Sequence, residues 1–444
     1  MADSTRGRVD EEALDEVVRF TSDLIRIDTT NRGGGDCQER PAAEYAAEQL
    51  AGAGLQPTLL ERTKGRTNVV ARIEGTDPSA DALLVHGHLD VVPAQAEDWS
   101  VHPFSGEIRD GVVWGRGAVD MKNMDAMILA VVRAWARLGV RPRRDLVIAF
   151  TADEEASAED GSGFLADEHA GLFEGCTEGI SESGAFTFHD GSGRQIYPIA
   201  AGERGTGWLK LTARGRAGHG SKVNRANAVT RLAEAIARIG AHEWSVRLTP
   251  TVRAALTELA ALYGIDPDLD DPDGVDVLLG KLGPAAALVE PTVRNSANPT
   301  MLEAGYKVNV IPGEAVAYVD GRYLPGGEDE FRTTLDRLTG PDVDWEFHHR
   351  EAALQSPVES ATFARMRAAV EEFAPEGHVV PFCMSGGTDA KQFSRLGITG
   401  YGFSPLKLPE GYDYGALFHG VDERVPVEAL HFGVHVLDRF LRTA

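Results

Sequence analysis

The sequence is poor in cysteine, lacks long apolar runs, and has a deficit of positive charge. Its three cysteines, Cys37, Cys176 and Cys383, lie far apart and form no C-x-x-C pair, which argues against a disulfide framework or a thiolate zinc site and favours a reducing compartment. The longest apolar runs, such as 127–132, are far shorter than the roughly 20 residues that span a bilayer. The amino terminus is charged and contains no apolar leader segment. We therefore expect a cytoplasmic protein without a membrane partner.

The charge deficit excludes a further class of partner. The chain has 44 Lys and Arg against 68 Asp and Glu, for a formal net charge of −24. Nucleic-acid binders need a basic surface to neutralise phosphates, so we expect no nucleic-acid partner. A composition of 43% hydrophobic and 25% charged residues is typical of a globular protein. Chains of 444 residues generally divide into domains, and we expect about two here.

The order of apolar segments predicts an α/β catalytic domain in two parts. In residues 1–202, continuous apolar runs such as 82–85 and 145–151 alternate with helical patterns such as 124–138. Buried strands separated by helices are typical of a doubly wound α/β domain, with helices on both faces of the sheet. The same alternation returns in residues 321–444, which we assign to the second part of this domain.

Residues 203–320 have a different character and are predicted to form an inserted α+β domain. Segments 208–214 and 307–311 alternate apolar and polar residues, and 315–319 follows a Pro-Gly turn. Alternation of this kind is typical of antiparallel strands with one solvated face. The segments 226–239 and 251–262 between them have helical periodicity.

Polar side chains follow an apolar strand of the first domain. In the segment LLVHGHLD, the side chains of His86, His88 and Asp90 share one face because strands have a period of two. They emerge at the carboxyl end of a strand, where α/β sheets bind their ligands. A histidine next to a carboxylate is a common arrangement in metal sites. A polar strand end that turns at Pro93 is the alternative that this segment alone leaves open.

Further carboxylates and a histidine follow other apolar segments. Asp120 precedes an amphipathic helix, where it is either a ligand or an N-cap. Glu154 and Glu155 follow another strand and point in different directions, so one can bind a metal while its neighbour holds a proton. Capping or solvated charge is the alternative for this pair. Glu182 and His419, each taken singly, are better explained by a structural role. Taken together, these residue types match the ligands of a catalytic zinc centre, and the number of carboxylates favours two metals bridged by an Asp.

These segments resemble those of the dinuclear zinc amidohydrolases. The motifs HGHLDVVP, GRGAVDMK, TADEE, SESG, GRAGHGS, KVNVIPG, SGGTDA and FHGVDE occur in the order of that family. Its members include aminoacylase, glutamate carboxypeptidase, succinyl-diaminopimelate desuccinylase and carboxypeptidase S. The segment between Ser221 and Asn309 is longer than in compact members of the family, and its length is most similar to that of the carboxypeptidase S branch.

The resemblance implies a zinc-peptidase-like catalytic domain with an inserted lid and dimerisation domain, and two Zn²⁺ ions, with Co²⁺ or Mn²⁺ as alternatives. Asp90 would orient His88, and Glu154 would act as general base for a metal-activated water. The peptide bond that follows Asp120 would be cis. The metal ligands would be His88, Asp120 and Glu182 for one ion, and Asp120, Glu155 and His419 for the other.

The resemblance also implies residues that act on the substrate. His219 in GRAGHGS would stabilise the oxyanion, and in dimeric members of the family this histidine reaches the active site of the partner subunit. We therefore expect a possible homodimer through the lid domain. A guanidinium suits the binding of a substrate carboxylate. The substrate-binding residues would be Asn309, Arg322, Ser385, Gly386, Gly387 and Thr388.

The sequence thus predicts a hydrolase that cleaves the amide bond of an N-acyl-amino acid or a short peptide. Two alternatives belong to other classes. A serine hydrolase using Ser385 is disfavoured because the surrounding CMSGG differs from the G-x-S-x-G elbow. A non-catalytic binding protein that retains the fold is disfavoured because Glu154 is present beside a complete set of ligand types.

Overall fold

The computed structural model describes residues 9–34 and 37–444. The first eight residues, part of the charged terminus in which we found no leader, lie outside the described residues. The chain divides into two compact units. The first comprises residues up to Ala200 with Ser356–Pro381 and Thr388–Ala444, and the second comprises Ala201–Gln355 with Phe382–Gly387. Across the described ranges, no helix combines the length and apolar character needed to cross a membrane.

Helices and strands alternate along most of the described chain. The helices are α1 (Glu11–Arg26), α2 (Arg40–Gly52), α3 (Lys122–Leu138), α4 (Ser162–Glu168), α5 (Ala228–Gly240), α6 (Pro250–Leu262), α7 (Pro272–Leu282), α8 (Glu328–Thr339), α9 (Ala361–Phe373), α10 (Ala390–Phe393), α11 (Tyr414–Leu417) and α12 (Val427–Thr443). The strands are β1 (Thr58–Glu61), β2 (Thr67–Ile73), β3 (Ala82–His88), β4 (Glu107–Arg109), β5 (Val112–Trp114), β6 (Leu146–Thr151), β7 (Cys176–Ser181), β8 (Phe188–His189), β9 (Gln195–Glu203), β10 (Gly205–Arg214), β11 (Gly218–His219), β12 (Ser296–Ala304), β13 (Val310–Ile311), β14 (Glu314–Tyr323), β15 (Val343–Glu351), β16 (Leu354–Gln355), β17 (His378–Met384), β18 (Thr399–Gly402) and β19 (Arg424–Pro426).

A mixed sheet with helices forms the first unit. Its strand order is β1-β2-β6-β3-β7-β18-β9. The middle strands β6, β3, β7 and β18 run parallel, whereas β1 and β2 are antiparallel to their neighbours. Every residue of β3 and β6 is buried, which explains why their sequences are continuous apolar runs rather than alternating ones. The predicted α/β class is confirmed, with a sheet that is mixed rather than fully parallel.

The helices of the first unit cover this sheet because their apolar residues recur at helical spacing. α1 begins after Asp10, whose carboxylate accepts a hydrogen bond from the Ala13 amide at 3.0 Å. α3 is buried over most of its length and ends at Gly139, which has the left-handed φ of 64° common at helix ends. A helix buried on nearly all sides places its first residues rigidly against the sheet. Asp120, two residues before α3, therefore has a fixed position.

An antiparallel sheet of order β12-β14-β10-β15 forms the second unit. Its buried residues form one cluster with those of α5 and α8. β14 alternates regularly between buried and partly exposed residues, as expected for a sheet that packs on one face. The predicted helices at 226–239 and 251–262 correspond to α5 and α6.

Two sequence expectations differ from the structure of this unit. Of the strand predicted at 307–311, Val310 and Ile311 alone form β13, because the preceding turn is exposed and its alternation does not reflect packing. The domain boundary predicted at 320 falls inside β14. The unit continues to Gln355 because β15 pairs with β10 along most of its length and α8 packs on the same sheet.

Candidate metal centre

The carboxyl ends of neighbouring parallel strands bring several predicted ligands together. His88 is the last residue of β3, Glu182 directly follows β7, and Glu154 and Glu155 follow β6 after a short turn. β3 pairs in parallel with both β6 and β7, so all three strands end at the same edge of the sheet. This edge is where α/β folds bind ligands.

Asp120 lies between two histidines. Its Oδ1 is 3.1 Å from Nε2 of His88, and its Oδ2 is 3.2 Å from Nε2 of His419. Nε2 of His419 is also 3.1 Å from Oε2 of Glu155. Each oxygen of Asp120 therefore faces a different imidazole, which is the geometry that a carboxylate bridging two metal ions requires. The peptide bond between Asp120 and Met121 is cis, as the resemblance implied.

The remaining carboxylates lie on the His88 side. Nε2 of His88 is 3.8 Å from Oε1 of Glu182 and 3.9 Å from Oε2 of Glu154. Two groups, His88 with Asp120 and Glu155, and His88 with Glu154 and Glu182, have ligand atoms within 4.8 Å of one another. The structure thus gathers all five predicted metal ligands and the predicted base in one cluster.

The charge of this cluster fits bound cations. Burial raises the pKa of both Glu154 and Glu182 well above the ordinary value, and neighbouring carboxylates raise it further. Oε1 of Glu155 is buried and has no hydrogen-bond partner in the described part of the chain. An orphaned buried carboxylate oxygen among like charges is costly unless a cation is present. Imidazole and carboxylate ligands suit Zn²⁺, Co²⁺ or Mn²⁺, so the residues fit a two-metal centre.

Comparison with known proteins identifies the family. The sequence pattern of Peptidase family M20/M25/M40 matches residues 84–443. The chain belongs to this peptidase family. Membership confirms the predicted enzyme class, a dinuclear metal-dependent amidohydrolase, and sets aside the serine-hydrolase and non-catalytic alternatives.

Individual relatives extend over most of the chain. The N-fatty-acyl-amino acid synthase/hydrolase PM20D1 of Homo sapiens is 30% identical over 391 residues, which cover 84% of this chain and 76% of that protein. Aminoacylase-1 of Sus scrofa is 26% identical, with coverage of 90% and 89%. The M20 family metallo-carboxypeptidase Sso-CP2 of Sulfolobus solfataricus superposes with a TM-score of 0.71 at 18% identity, covering 96% of this chain and 99% of that one. This last likeness supports the fold alone.

Asp90 contacts both His88 and the segment that follows β6. Nδ1 of His88 lies 2.9 Å from the backbone carbonyl of Asp90, whereas the nearer carboxylate oxygen is 3.6 Å away. The carboxylate instead accepts hydrogen bonds from the backbone amides of Glu154 and Glu155, at 3.1 and 3.0 Å, and from Nδ2 of Asn31 at 2.8 Å. The Asp90 side chain therefore holds the backbone of Glu154 and Glu155, the predicted base and ligand that follow β6, in addition to lying beside His88.

A buried polar chain behind Asp90 was not predicted from the sequence. Asn31 also donates to Asp153 at 3.2 Å, and Arg66 donates to Asp153 at 3.0 Å. Arg66 binds Glu39 through Nε and Nη2, and both of these side chains are buried. Asp153 has a positive φ of 65°, a backbone conformation that is uncommon for residues other than glycine. The hydrogen bonds from Asn31 and Arg66 to its carboxylate stabilise this conformation. Asp153 belongs to the TADEE motif, but the motif does not indicate which distant residues form hydrogen bonds with its carboxylate.

Glu423 is the last residue of the FHGVDE motif, and the sequence indicated no role for it. It is fully buried, and Arg116, which binds it, also donates through Nη2 to the carbonyl of His419 at 3.4 Å. This carboxylate therefore connects the backbone of the bridging Asp120 with the loop that carries His419. It accepts hydrogen bonds from the amides of Gly117 (3.0 Å), Val119 (2.7 Å) and Asp120 (3.1 Å) and from Nη1 of Arg116 (2.7 Å).

Asp389, in the SGGTDA motif, is a second buried carboxylate without a predicted role. Its side chain accepts hydrogen bonds from the hydroxyls of Thr151, at 2.6 Å, and Ser162. Burial raises the pKa of Asp389 to about 6. It therefore links the end of β6 with α4 and α10. Thr388, predicted to contact substrate, precedes it and is also buried in the first unit.

The other predicted substrate residues lie in the second unit. His219 in β11 pairs with Val310 of β13, and the amide of Gly220 donates to the carbonyl of Asn309 at 2.9 Å, so His219 and Asn309 are neighbours. Both side chains are exposed. Arg322 lies on β14 and binds Asp320 through Nε at 2.7 Å and Nη2 at 3.2 Å. Ser385, Gly386 and Gly387 form the loop that follows β17.

We predict that Glu423→Gln weakens metal binding by about 10- to 100-fold, the range typical for residues that orient metal ligands. The side-chain amide of Gln presents an N–H₂ group where the carboxylate of Glu423 accepts hydrogen bonds from backbone N–H groups. The loop that carries Asp120 would therefore lose hydrogen bonds that hold it in place. The dissociation constants for Zn²⁺ and Co²⁺, measured by competition with a chromogenic chelator, test this. Glu428→Gln, at an exposed position of α12, is the matched control. Equal metal affinity in both variants would show that Glu423 does not position the centre.

Proposed function

We propose that this enzyme hydrolyses the amide bond of N-acyl-amino acids, with short peptides as the second substrate class, and that it binds two Zn²⁺ ions. The observation that carries the proposal is the position of Asp120, with one oxygen facing His88 and the other facing His419, beside the partly buried Glu154. Two relatives named for acyl-amino acids, each matching more than four-fifths of the chain, favour this substrate class over peptides.

The chain's own residues supply positioning and proton transfer. When bound, the two metal ions would polarise the substrate carbonyl and lower the pKa of a water molecule to about 7. Glu154 would accept a proton from the attacking water and deliver it to the nitrogen of the leaving amine. Its side chain is 15% exposed, so it is accessible from the solvent side, and its amide is held by Asp90.

The second unit supports a role for a partner subunit. His219 would stabilise the oxyanion formed in the active site of a partner protomer. Its unit exposes a group of apolar side chains that a partner would cover. Those beside or near the His219 and Asn309 segments are Val223, Met301, Leu302, Tyr306 and Val308.

Three buried cysteines without disulfides support a reducing compartment such as the cytoplasm.

Removal of the metal should abolish hydrolysis and lower the melting temperature. Chelation leaves the buried carboxylates without counter-charge, and a ligand at 100 times its dissociation constant contributes about 2.7 kcal/mol of stability. Return of Zn²⁺, Co²⁺ or Mn²⁺ to the chelated protein should restore both properties. Activity on a panel of N-acyl-amino acids and dipeptides, combined with mass-spectrometric metal analysis, tests the proposal. Undiminished hydrolysis after complete chelation would refute it.

Glu154→Gln should retain metal and lose turnover by about 10²- to 10⁴-fold, the contribution typical of a general base. The amide is close in size but cannot accept the proton. The rate constant kcat and the metal content should be measured together. Glu159→Gln, an exposed position in the same segment, should behave as wild type. Normal turnover in the Glu154 variant would assign the proton transfer to another group.

His219→Ala should keep its metal while losing activity, and mixing it with the Glu154→Gln protein should restore part of the rate. A mixed dimer would contain one site with both an intact base and an intact histidine if His219 acts across the dimer. The measurement is activity against mixing ratio, with each inactive variant alone as control. Without recovery in a mixture shown by native mass spectrometry to exchange subunits, the histidine acts within its own chain.

A further inference from the structure

Arg204 is a buried arginine at the junction of β9 and β10 in the second unit. It is 4% exposed. Nη2 donates to the hydroxyl of Ser296 and, at 3.0 Å, to the carbonyl of Arg322. The Arg204 amide donates to the carbonyl of Met384 at 3.0 Å. These contacts fix the guanidinium beside Arg322 and anchor its backbone to the residue that precedes the Ser385–Gly387 loop.

The remaining donors of Arg204 have no acceptor in the described residues. Nε is buried without a hydrogen-bond partner, and neither of the two Nη1 donors makes a hydrogen bond. Nη1 is not sealed from solvent as Nε is. The guanidinium also forms no ion pair within the described ranges, although a buried unpaired charge is costly. Burial, with a contribution from Arg322, lowers the pKa of Arg204 to about 10, so it is still cationic at neutral pH.

The carboxylate of Asp320, which interacts electrostatically with Arg204, is already paired with Arg322. Asp320 binds Nε and Nη2 of Arg322 in a two-point contact, and Nη1 of Arg322 donates to Thr206 at 3.3 Å. Arg322, the residue that the family resemblance assigned to the substrate carboxylate, thus uses its fork within the protein. Within the described residues, Arg204 is the member of this pair that forms no ion pair and whose Nε and Nη1 donors have no acceptor.

We propose that Arg204 forms an anion subsite that binds the carboxylate of the substrate through its Nη1 donors. This inference rests on the proposed function, because that function requires an acid group next to the cleaved amide. The adjoining loop favours it, since a side chain built at Gly386 would meet no atom within 4 Å and the backbone is open there. A bound carboxylate supplies the counter-charge that Arg204 lacks, through charge-assisted hydrogen bonds.

The test compares an acid with its neutral analogue. For N-acetyl-L-leucine and N-acetyl-L-leucinamide, the ratio of kcat/KM values measures how strongly the carboxylate is recognised. Arg204→Met should lower this ratio by about 10- to 100-fold, the loss expected for hydrogen bonds to a charged group, mostly through KM for the acid. Arg204→Lys, which keeps the charge but not the fixed fork, should give an intermediate ratio. Arg247→Met, at an exposed arginine of the same unit, is the matched control and should leave the ratio unchanged.

The outcome distinguishes this subsite from a structural role and from failure of the proposed function. A strut between strands would change the unfolding midpoint but not the acid-to-amide ratio, so an unchanged ratio in the Arg204 variants overturns the inference. A fall in the ratio for Arg322→Met but not for Arg204→Met overturns it equally. If the wild-type protein hydrolyses neither compound, the proposed function fails. Calorimetric binding of N-acetyl-L-leucine to metal-loaded wild type and Arg204→Lys then tests the subsite, which requires weaker binding in the variant.

Discussion

The carboxylate of Asp120 is the interaction on which the site depends. Its two oxygens face two histidines from opposite ends of the chain, at 3.1 and 3.2 Å. Small displacements of one oxygen would disturb both halves of the centre. The surrounding structure restrains Asp120. The helix α3, which is buried on nearly all sides, follows it, and the buried carboxylate of Glu423 accepts a hydrogen bond from its backbone amide. The burial of α3 and the hydrogen bond to Glu423 therefore hold this carboxylate in place.

Buried like charges explain why so many polar groups lie behind the ligands. Glu154, Glu155 and Glu182 repel one another, and burial penalises their ionised forms. Cations in the site would offset this cost. The hydrogen bonds from the backbone amides of Glu154 and Glu155 to Asp90 fix the direction of these two side chains. Arg66, which binds Glu39 through two nitrogens, also donates a hydrogen bond to Asp153 and so helps to hold the segment that carries Glu154 and Glu155. The large acidic excess of the sequence is mostly elsewhere, since the site uses a small part of it.

The structure brings the predicted ligands together because each one follows a strand or precedes a helix in a recognisable motif. Parallel strands with buried, continuous apolar sequences end at one edge, so residues such as His88 and Glu182 meet without further information. The supporting contacts were not predictable, since pairs such as Arg66 with Asp153 depend on tertiary packing between distant segments. The turn before β13 was mistaken for a strand because polar and apolar residues also alternate in exposed chain.

The second unit shows a different limit of motif-based prediction. Resemblance assigns a residue type to a task, but availability for that task depends on what the side chain already binds. Arg322 has the position expected of a carboxylate ligand, yet two of its nitrogens contact Asp320. Arg204 carries no recognised motif role, and its buried charge has no ion-pair partner among the described residues. When two cations share one carboxylate, the unpaired cation has the greater affinity for an incoming anion, because binding there costs no existing ion pair.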